Sequence, residues 1–296
     1  MQLLSALFLI IRPLNVAIAG LSILVGASLV QPFHFSLPIA CAILSTMLIT
    51  GGANVINDFF DIAIDRINRP KRILPAGRLS PAAAKNYAII LFACGNFFSI
   101  FINEIAVLIA VSTSFLLLAY SWKLKRLPLS GNLAVSLATA LAFIYAALGA
   151  ESGLTLMQIE RSGVTKIWMH GWRAGIFPAV FAFLMHLGRE IIKDLEDQDG
   201  DRAVQARTLP LAYGITTAQL AATLALVLLL IATIIPAGLR LYNLNYFWII
   251  LFGVDPIVIF AIYMLWKNPT PPRLRQISIA LKADMLLGLA AIYFGQ

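Results

Sequence analysis

Apolar residues run along this chain in long unbroken blocks, and polar residues gather in the gaps between them. Nine blocks stand out, near 13–31, 36–59, 82–101, 104–120, 131–150, 173–193, 216–237, 246–266 and 277–294. Each approaches the roughly 20 residues that a helix needs to cross about 30 Å of hydrocarbon. The pattern predicts an all-α polytopic membrane protein with nine transmembrane helices. The gaps sharpen the topology. Of the 22 Lys and Arg, eighteen fall at Arg12 or in and around the gaps after the second, fourth, sixth and eighth blocks, with Lys282 counted in the last of these gaps. The other four are Arg161, Lys166, Arg173 and Arg240. Basic residues collect on the cytoplasmic side. The N-terminus and the even-to-odd loops are therefore expected in the cytoplasm and the C-terminus outside. The outer loop 151–172 carries Trp168 and Trp172, residue types that mark a membrane interface.

Composition changes this picture little. Of 296 residues, 60% are hydrophobic and 12% charged, and mean hydropathy is +0.87. Charge is too scarce to cover a soluble surface. The net charge of +8 reads as membrane orientation and not as a nucleic-acid surface. Cys41 and Cys94 both lie in apolar blocks and are expected as small packed residues, neither a disulfide framework nor a thiolate site. His34, His170 and His186 show no ligand spacing. The start, MQLLSALFLIIRPLN, lacks a basic leader and a small-residue cleavage site, so the first helix is expected to direct insertion.

The candidate chemistry sits in two of the polar gaps. NDFFDIAID, Asn57 to Asp65, closes the second block, and KDLEDQDGD, Lys193 to Asp201, closes the sixth. Asp58, Asp61 and Asp65 recur 136 residues later as Asp194, Asp197 and Asp201, both runs reading D-x-x-D-x-x-x-D. Downstream, RILP at 72–75 matches RTLP at 207–210. The repeat divides a single domain, 1–296, into halves near 36–150 and 173–294 with one extra helix in front. The acidic loops span 57–81 and 190–214. On a helix, positions i, i+3 and i+7 share a face, so each motif should present a line of carboxylates, with Asn57, Asp61 and Asp65 as an overlapping line. Clustered carboxylates repel one another without cations, and oxygen-rich clusters suit Mg²⁺ bridged to substrate phosphates. Two facing lines would hold a diphosphate between metals. Solvated helix-end charge is the simpler account of either motif alone, and the pair at equivalent places weighs against it. An EF-hand fails at DLEDQDGD, because Leu195 and Ala206 occupy its required carboxylate positions. No G-x-x-x-x-G-K-[ST] loop is present.

With these stretches in view, NDFFDIAIDRINRPKRILPAGRLS and REIIKDLEDQDGDRAVQARTLPLAYG resemble the hallmarks of the UbiA superfamily of intramembrane prenyltransferases, over nearly the whole chain. AYSWKLKRLPLSGN, 119–132, is similar to the family's segment at the end of the fourth helix. The resemblance implies Mg²⁺-dependent transfer of a prenyl group from a prenyl diphosphate to a lipophilic acceptor. It implies that Asn57, Asp61 and Asp65 hold one metal and Asp197 with Asp201 the other, with Asp58 and Asp194 supporting or ligating. Arg72 and Lys125 would contact the diphosphate, and Arg12 the acceptor or a phosphate. The second motif looks most like the family's ether-lipid branch. That branch implies geranylgeranyl transfer from geranylgeranyl diphosphate to geranylgeranylglyceryl phosphate.

Aromatic acceptors such as hydroxybenzoate or homogentisate remain the alternative within the family. A transporter is the alternative outside it, although a parallel repeat with acids at the helix ends is unlike the inverted repeats and midplane sites found there. A CDP-alcohol phosphotransferase lacks its signature here. Phe97, Phe98, Phe181 and Phe183 are expected either to pack helices or to line a prenyl tunnel. Gly51, Gly52 and Gly95 either let helices approach closely or merely loosen them, and His186 either packs or meets the acceptor.

Overall fold

The structure is a computed structural model and describes residues 2–154, 171–267 and 269–296. The described residues are helical apart from turns and short connections. They form α1 (Gln2–Ile10), α2 (Pro13–Ser28), α3 (Leu37–Phe60), α4 (Ile62–Asn68), α5 (Pro81–Ser99), α6 (Glu104–Trp122) and α7 (Ser130–Ser152). After the gap come α8 (Ile176–Glu196), α9 (Gln198–Ala203), α10 (Leu209–Tyr213), α11 (Ile215–Gly238), α12 (Leu244–Lys267, with a π turn at Ile250–Val254) and α13 (Pro271–Phe294). Arg161, Lys166, His170 and Trp168 lie outside the described residues. Trp172 is exposed in the 3-10 turn Gly171–Gly175, with the Arg173 guanidinium over its ring.

Seven of the described helices are long and apolar enough to cross a membrane. The bent pair Leu3–Ile10 and Pro13–Ser28 makes an eighth. The chain is a multi-pass membrane protein. The ninth expected span corresponds to α5, which has the length but is interrupted by Lys85, Asn86 and Asn96. Outward faces carry side chains that only lipid would welcome, among them Phe115, Leu224 and Phe252. Cys41 is buried as expected, whereas Cys94 is exposed, because α5 turns only one face to its neighbours.

The long helices close into two rings. In the first, α3 touches α5 and α7, and α6 touches α5 and α7. In the second, α8 touches α11 and α13, and α12 touches α11 and α13. α7 lies along α8 and joins the rings, while α2 packs on α3, α7 and α13. Small residues and buried polar pairs hold these contacts, since lipid leaves no hydrophobic drive between helices. Tyr145 Oη donates to Ser45 Oγ at 2.8 Å between α7 and α3. Gln219 Nε2 donates to the Leu265 carbonyl at 2.8 Å between α11 and α12. Each such bond contributes about 0.6–2 kcal/mol in a membrane.

Two of the three singled-out glycines set the approach of α3 to α5. A Cβ at Gly95 would stand 2.7 Å from Ile49 Cγ1, and one at Gly52 would stand 3.2 Å from Phe92 Cδ2. Gly51 would meet only ordinary contacts at 3.6 Å. Gly95→Val is therefore expected to force α5 away from α3 and to destabilise the protein by about 1–3 kcal/mol. Gly51→Ala is expected to be nearly neutral. Thermal unfolding of the two purified variants in detergent checks the difference.

Candidate active site

The site grows from what happens where α3 and α8 end. α3 stops at Phe60, Asp61 sits at φ −95°, ψ 4°, and α4 restarts at Ile62. α8 stops at Glu196, Asp197 sits at φ −93°, ψ 11°, and α9 restarts at Gln198. The middle aspartate of each motif thus occupies an equivalent break. The expected lines of carboxylates are not carried on single straight helices. They cross these breaks, with i→i−4 bonds continuing through them: Asp61 N to Asn57 O at 3.0 Å and Asp65 N to Asp61 O at 2.8 Å, matched by Asp197 N to Lys193 O at 2.9 Å and Asp201 N to Asp197 O at 3.0 Å. α4 and α9 touch, so the two motifs face each other.

Each aspartate of the first motif has a cation. Arg12 pairs with Asp58. Arg72 Nη1 lies 2.6 Å from Asp65 Oδ2 and 3.4 Å from Asp58 Oδ1. Lys125 Nζ lies 2.5 Å from Asp61 Oδ1 and 3.0 Å from Asn57 Oδ1. Asn57 in turn donates to Asp61 at 3.0 Å.

The local chain explains these reaches. Arg12 stands at the 50° bend between α1 and α2 with φ 57°, ψ 74°. That left-handed geometry costs a non-glycine residue about 1–2 kcal/mol. The bend is tied from the other side by Asn54 Nδ2, which donates to the Ile11 carbonyl at 2.8 Å. Lys125 lies in the turn Leu124–Arg126. That turn presses so closely on α7 that a Cβ at Gly131 would stand 2.6 Å from Lys125 Cα. Burial lowers the Lys125 pKa, and Asp61 opposes the shift. Burial also raises the Asp65 pKa, with Arg72 opposing.

The second motif is differently supplied. Asp194 accepts from Asn132 Nδ2 at 2.9 Å. Asp194, Asp197 and Asp201 form no ion pair among the described residues. Burial pushes Asp201 up to about 6, and the Asp197 and Asp61 carboxylates push in the same direction. These acids are short of positive charge. The donors are all oxygen, which suits a hard divalent cation. Among the described residues, no three acidic side chains yet converge on one point. Mg²⁺ does not require that, since it keeps waters and takes one or two carboxylates plus substrate phosphates. The residues therefore fit a divalent cation carried in with a diphosphate.

A cavity of about 480 Å³ adjoins the first motif, lined by Arg12 and Asn57, which bond Asp58 and Asp61, and by apolar side chains that include Ile109, Phe143 and Leu289, while the motif aspartates themselves do not line it. Of the four phenylalanines, Phe181 lines it, while Phe97 is exposed and Phe98 and Phe183 pack at the core's edge. His186 is hydrogen-bonded, sharing a bond with the Ala182 carbonyl at 3.1 Å, and it also lines the cavity. The sequence reading missed Asn15, Arg189, Lys193, Glu190 and Lys282 as cavity residues. It counted Lys282 with the loop charges although the block 277–294 already contained it, and α13, Pro271–Phe294, carries it within the helix. The available signal was an ionisable residue inside an apolar block.

The sequence pattern of the UbiA prenyltransferase family matches residues 19–281. The chain belongs to the UbiA prenyltransferase family. It is 34% identical over 289 residues to digeranylgeranylglyceryl phosphate synthase of Methanothermobacter thermautotrophicus, covering 97% of this chain and 94% of that protein. It is 35% identical over 290 residues to the synthase of the same name from Thermococcus sibiricus, covering 97% and 95%. Among solved structures, one described as digeranylgeranylglyceryl phosphate synthase in membranes aligns with TM-score 0.77 and 29% identity, over 100% of this chain and 99% of that one. A UbiA homologue from Archaeoglobus fulgidus bound to GPP and Mg²⁺ shares the fold, with TM-score 0.65 and 16% identity over 97% and 99%. As a UbiA member the chain is an enzyme, a prenyltransferase of the membrane.

The charge state of the second motif gives a stability signature. A carboxyl whose pKa rises on folding supports the folded state below its unfolded value near 4, and that support is lost as pH climbs through about 6. In metal-free buffer, Asp201→Asn is expected to melt above the parent protein at pH 8, with the gap closing towards pH 4. Melting curves in chelator at the two pH values test this.

Proposed function

We propose that this UbiA enzyme transfers a geranylgeranyl group from geranylgeranyl diphosphate to the free hydroxyl of geranylgeranylglyceryl phosphate. The observation that carries the reading is similarity along nearly the whole chain to two archaeal synthases named for that product. Arg12 and Asn57, beside the aspartates, stand at the mouth of an apolar cavity, which suits such a substrate pair.

In this reading Asn57, Asp61 and Asp65 hold one Mg²⁺, and Asp197 with Asp201 holds another. Asp58 and Asp194 support them. Bound Mg²⁺ neutralises the leaving diphosphate. Arg72 and Lys125 now rest on aspartates, and they are the cations free to turn to the diphosphate when those aspartates take up metal. They then stabilise charge that grows as the C1–O bond breaks. The apolar cavity keeps water from the allylic cation. The acceptor oxygen bonds to C1, and its proton passes to a diphosphate oxygen. The finer topology belongs to the same reading: nine crossings, with α5 completing the first ring against α3, and with the N-terminus and both acidic loops on the cytoplasmic side where most Lys and Arg gather.

Purified protein with radiolabelled geranylgeranyl diphosphate and Mg²⁺ tests the proposal. Geranylgeranylglyceryl phosphate, hydroxybenzoate and homogentisate are offered separately. Label is expected in a digeranylgeranyl lipid alone. Label on an aromatic acceptor overturns the choice of acceptor, and no transfer to any acceptor overturns the proposal. Asp61→Ala is expected to abolish transfer. Lys125→Ala should lower kcat by roughly 10²–10³-fold, as the loss of one preorganised charge-stabilising donor does. Single-turnover rates at saturating substrate check that figure.

A further inference from the structure

The cavity has a second cationic feature, apart from the pairs that serve the aspartates. On its wall, Arg189 and Lys193 from α8 and Lys282 from α13 stand with Arg12. All four line one cavity, so Lys282 shares its wall with three like charges. Their compensation is thin. Glu190 is buried and answers two cations, accepting from Arg189 Nη1 at 2.7 Å and from Lys193 Nζ at 2.9 Å. Arg12 shares Asp58 with Arg72. Among the described residues, Lys282 Nζ has only a neutral partner, Asn15 Oδ1 at 2.7 Å. Arg189 Nε donates to the Ser278 carbonyl at 3.2 Å, another neutral acceptor. Asp284 lines the same cavity and is buried, but among the described residues neither of its oxygens has a hydrogen-bond partner and it forms no ion pair with Lys282.

Four cations thus face Glu190 and a shared Asp58. Excess charge inside a membrane bundle is expensive and marks a ligand pathway. The surplus over these two carboxylates is between two and three positive charges, which calls for an anionic ligand. A phosphate monoester, with about −1.5 to −2 at neutral pH, answers most of it. The position also restricts which phosphate it is. These cations lie along the wall that continues inward from Arg12, whereas the facing aspartates need the metal-bound diphosphate. A glycerol phosphate has its ester only one carbon from the attacking hydroxyl, so its phosphate must sit beside the reacting centre and not on it.

We propose that Arg189 and Lys282, assisted by Lys193, grip the phosphate of the acceptor lipid and make the enzyme select a phosphorylated glycerol ether. This rests on the acceptor class proposed above. It adds the residues that read the headgroup, and the orientation it imposes turns the neighbouring hydroxyl to the prenyl carbon.

The test compares Lys282→Met and Arg189→Met with the parent enzyme. KM is measured for geranylgeranyl diphosphate, for geranylgeranylglyceryl phosphate and for phosphate-free geranylgeranylglycerol. Loss of a charge-assisted bond to phosphate is expected to raise KM for the phosphorylated acceptor by roughly 10- to 100-fold. KM for the diphosphate should stay unchanged, and the preference for the phosphorylated over the phosphate-free acceptor should fall by the same factor. Lys282→Arg should recover most of the loss. If KM rises equally for both substrates, the cluster serves the diphosphate and the inference fails. If both variants keep the parent's preference for the phosphorylated acceptor, it also fails. A parent enzyme that alkylates no glycerophosphate lipid overturns the acceptor reading and this inference together, and that outcome is visible before any variant is made. Should Lys282→Met not fold, Lys282→Gln and Arg189→Met carry the same comparison.

Discussion

Carboxylates at the end of an apolar helix bundle repel one another, and the surrounding lipid offers little to screen them. The architecture around α3 and α8 is organised by the need to cancel that charge. The first motif is cancelled from within, by Arg12, Arg72 and Lys125. These three come from three different parts of the chain: the bend before α2, the loop after α4 and the turn before α7. The second motif is left short, with Asn132 as a neutral partner for Asp194. One motif therefore has its charge balanced by paired cations and the other brings spare anions. In the proposed reaction a metal diphosphate, which carries both signs, has a partner in each.

The same constraint explains why polar residues run so far into the bundle. A helix that ended cleanly at the membrane surface would leave its carboxylates to water. Here the breaks at Asp61 and Asp197 fold the acidic segments back towards each other, and the cavity adjoins the first of them through Arg12 and Asn57, which bond Asp58 and Asp61. Close approach at Gly95 and Gly131 keeps the first ring tight enough for Lys125 to reach Asp61. The interior beyond is lined mostly by aliphatic and aromatic groups, which a reactive allylic cation needs as much as a long isoprenoid does.

Most of this was legible along the chain. Long apolar blocks gave helix ends close to those of α3, α6, α7 and α11, because nothing but a helix satisfies backbone groups in hydrocarbon. The paired aspartate runs carried the family resemblance. What escaped the sequence depends on three-dimensional company. Lys282 lies inside the block 277–294 yet was counted with the loop charges, because only the packed structure shows that it faces the cavity. Arg189 and Lys193 read as orientation signals because their shared carboxylate, Glu190, becomes meaningful only once the cavity is seen beside it. The span at α5 was counted by length, although Lys85, Asn86 and Asn96 dilute it, and its tight fit against α3 depends on Gly52 and Gly95. Cys94 was assigned inward because a sequence does not say which face of α5 has a neighbour.

One backbone bond has a wider reach than its size suggests. The amide of Arg207, just before the buried turn into α10, donates to the carbonyl of Arg126 at 2.8 Å. Arg126 belongs to the short turn that carries Lys125, and Arg207 follows the second acidic motif. The lysine that answers one half of the molecule is thus stitched to the loop that supplies the other half. The two halves of the site are thus joined by main chain as well as by their facing motifs, so the position of one sets the position of the other.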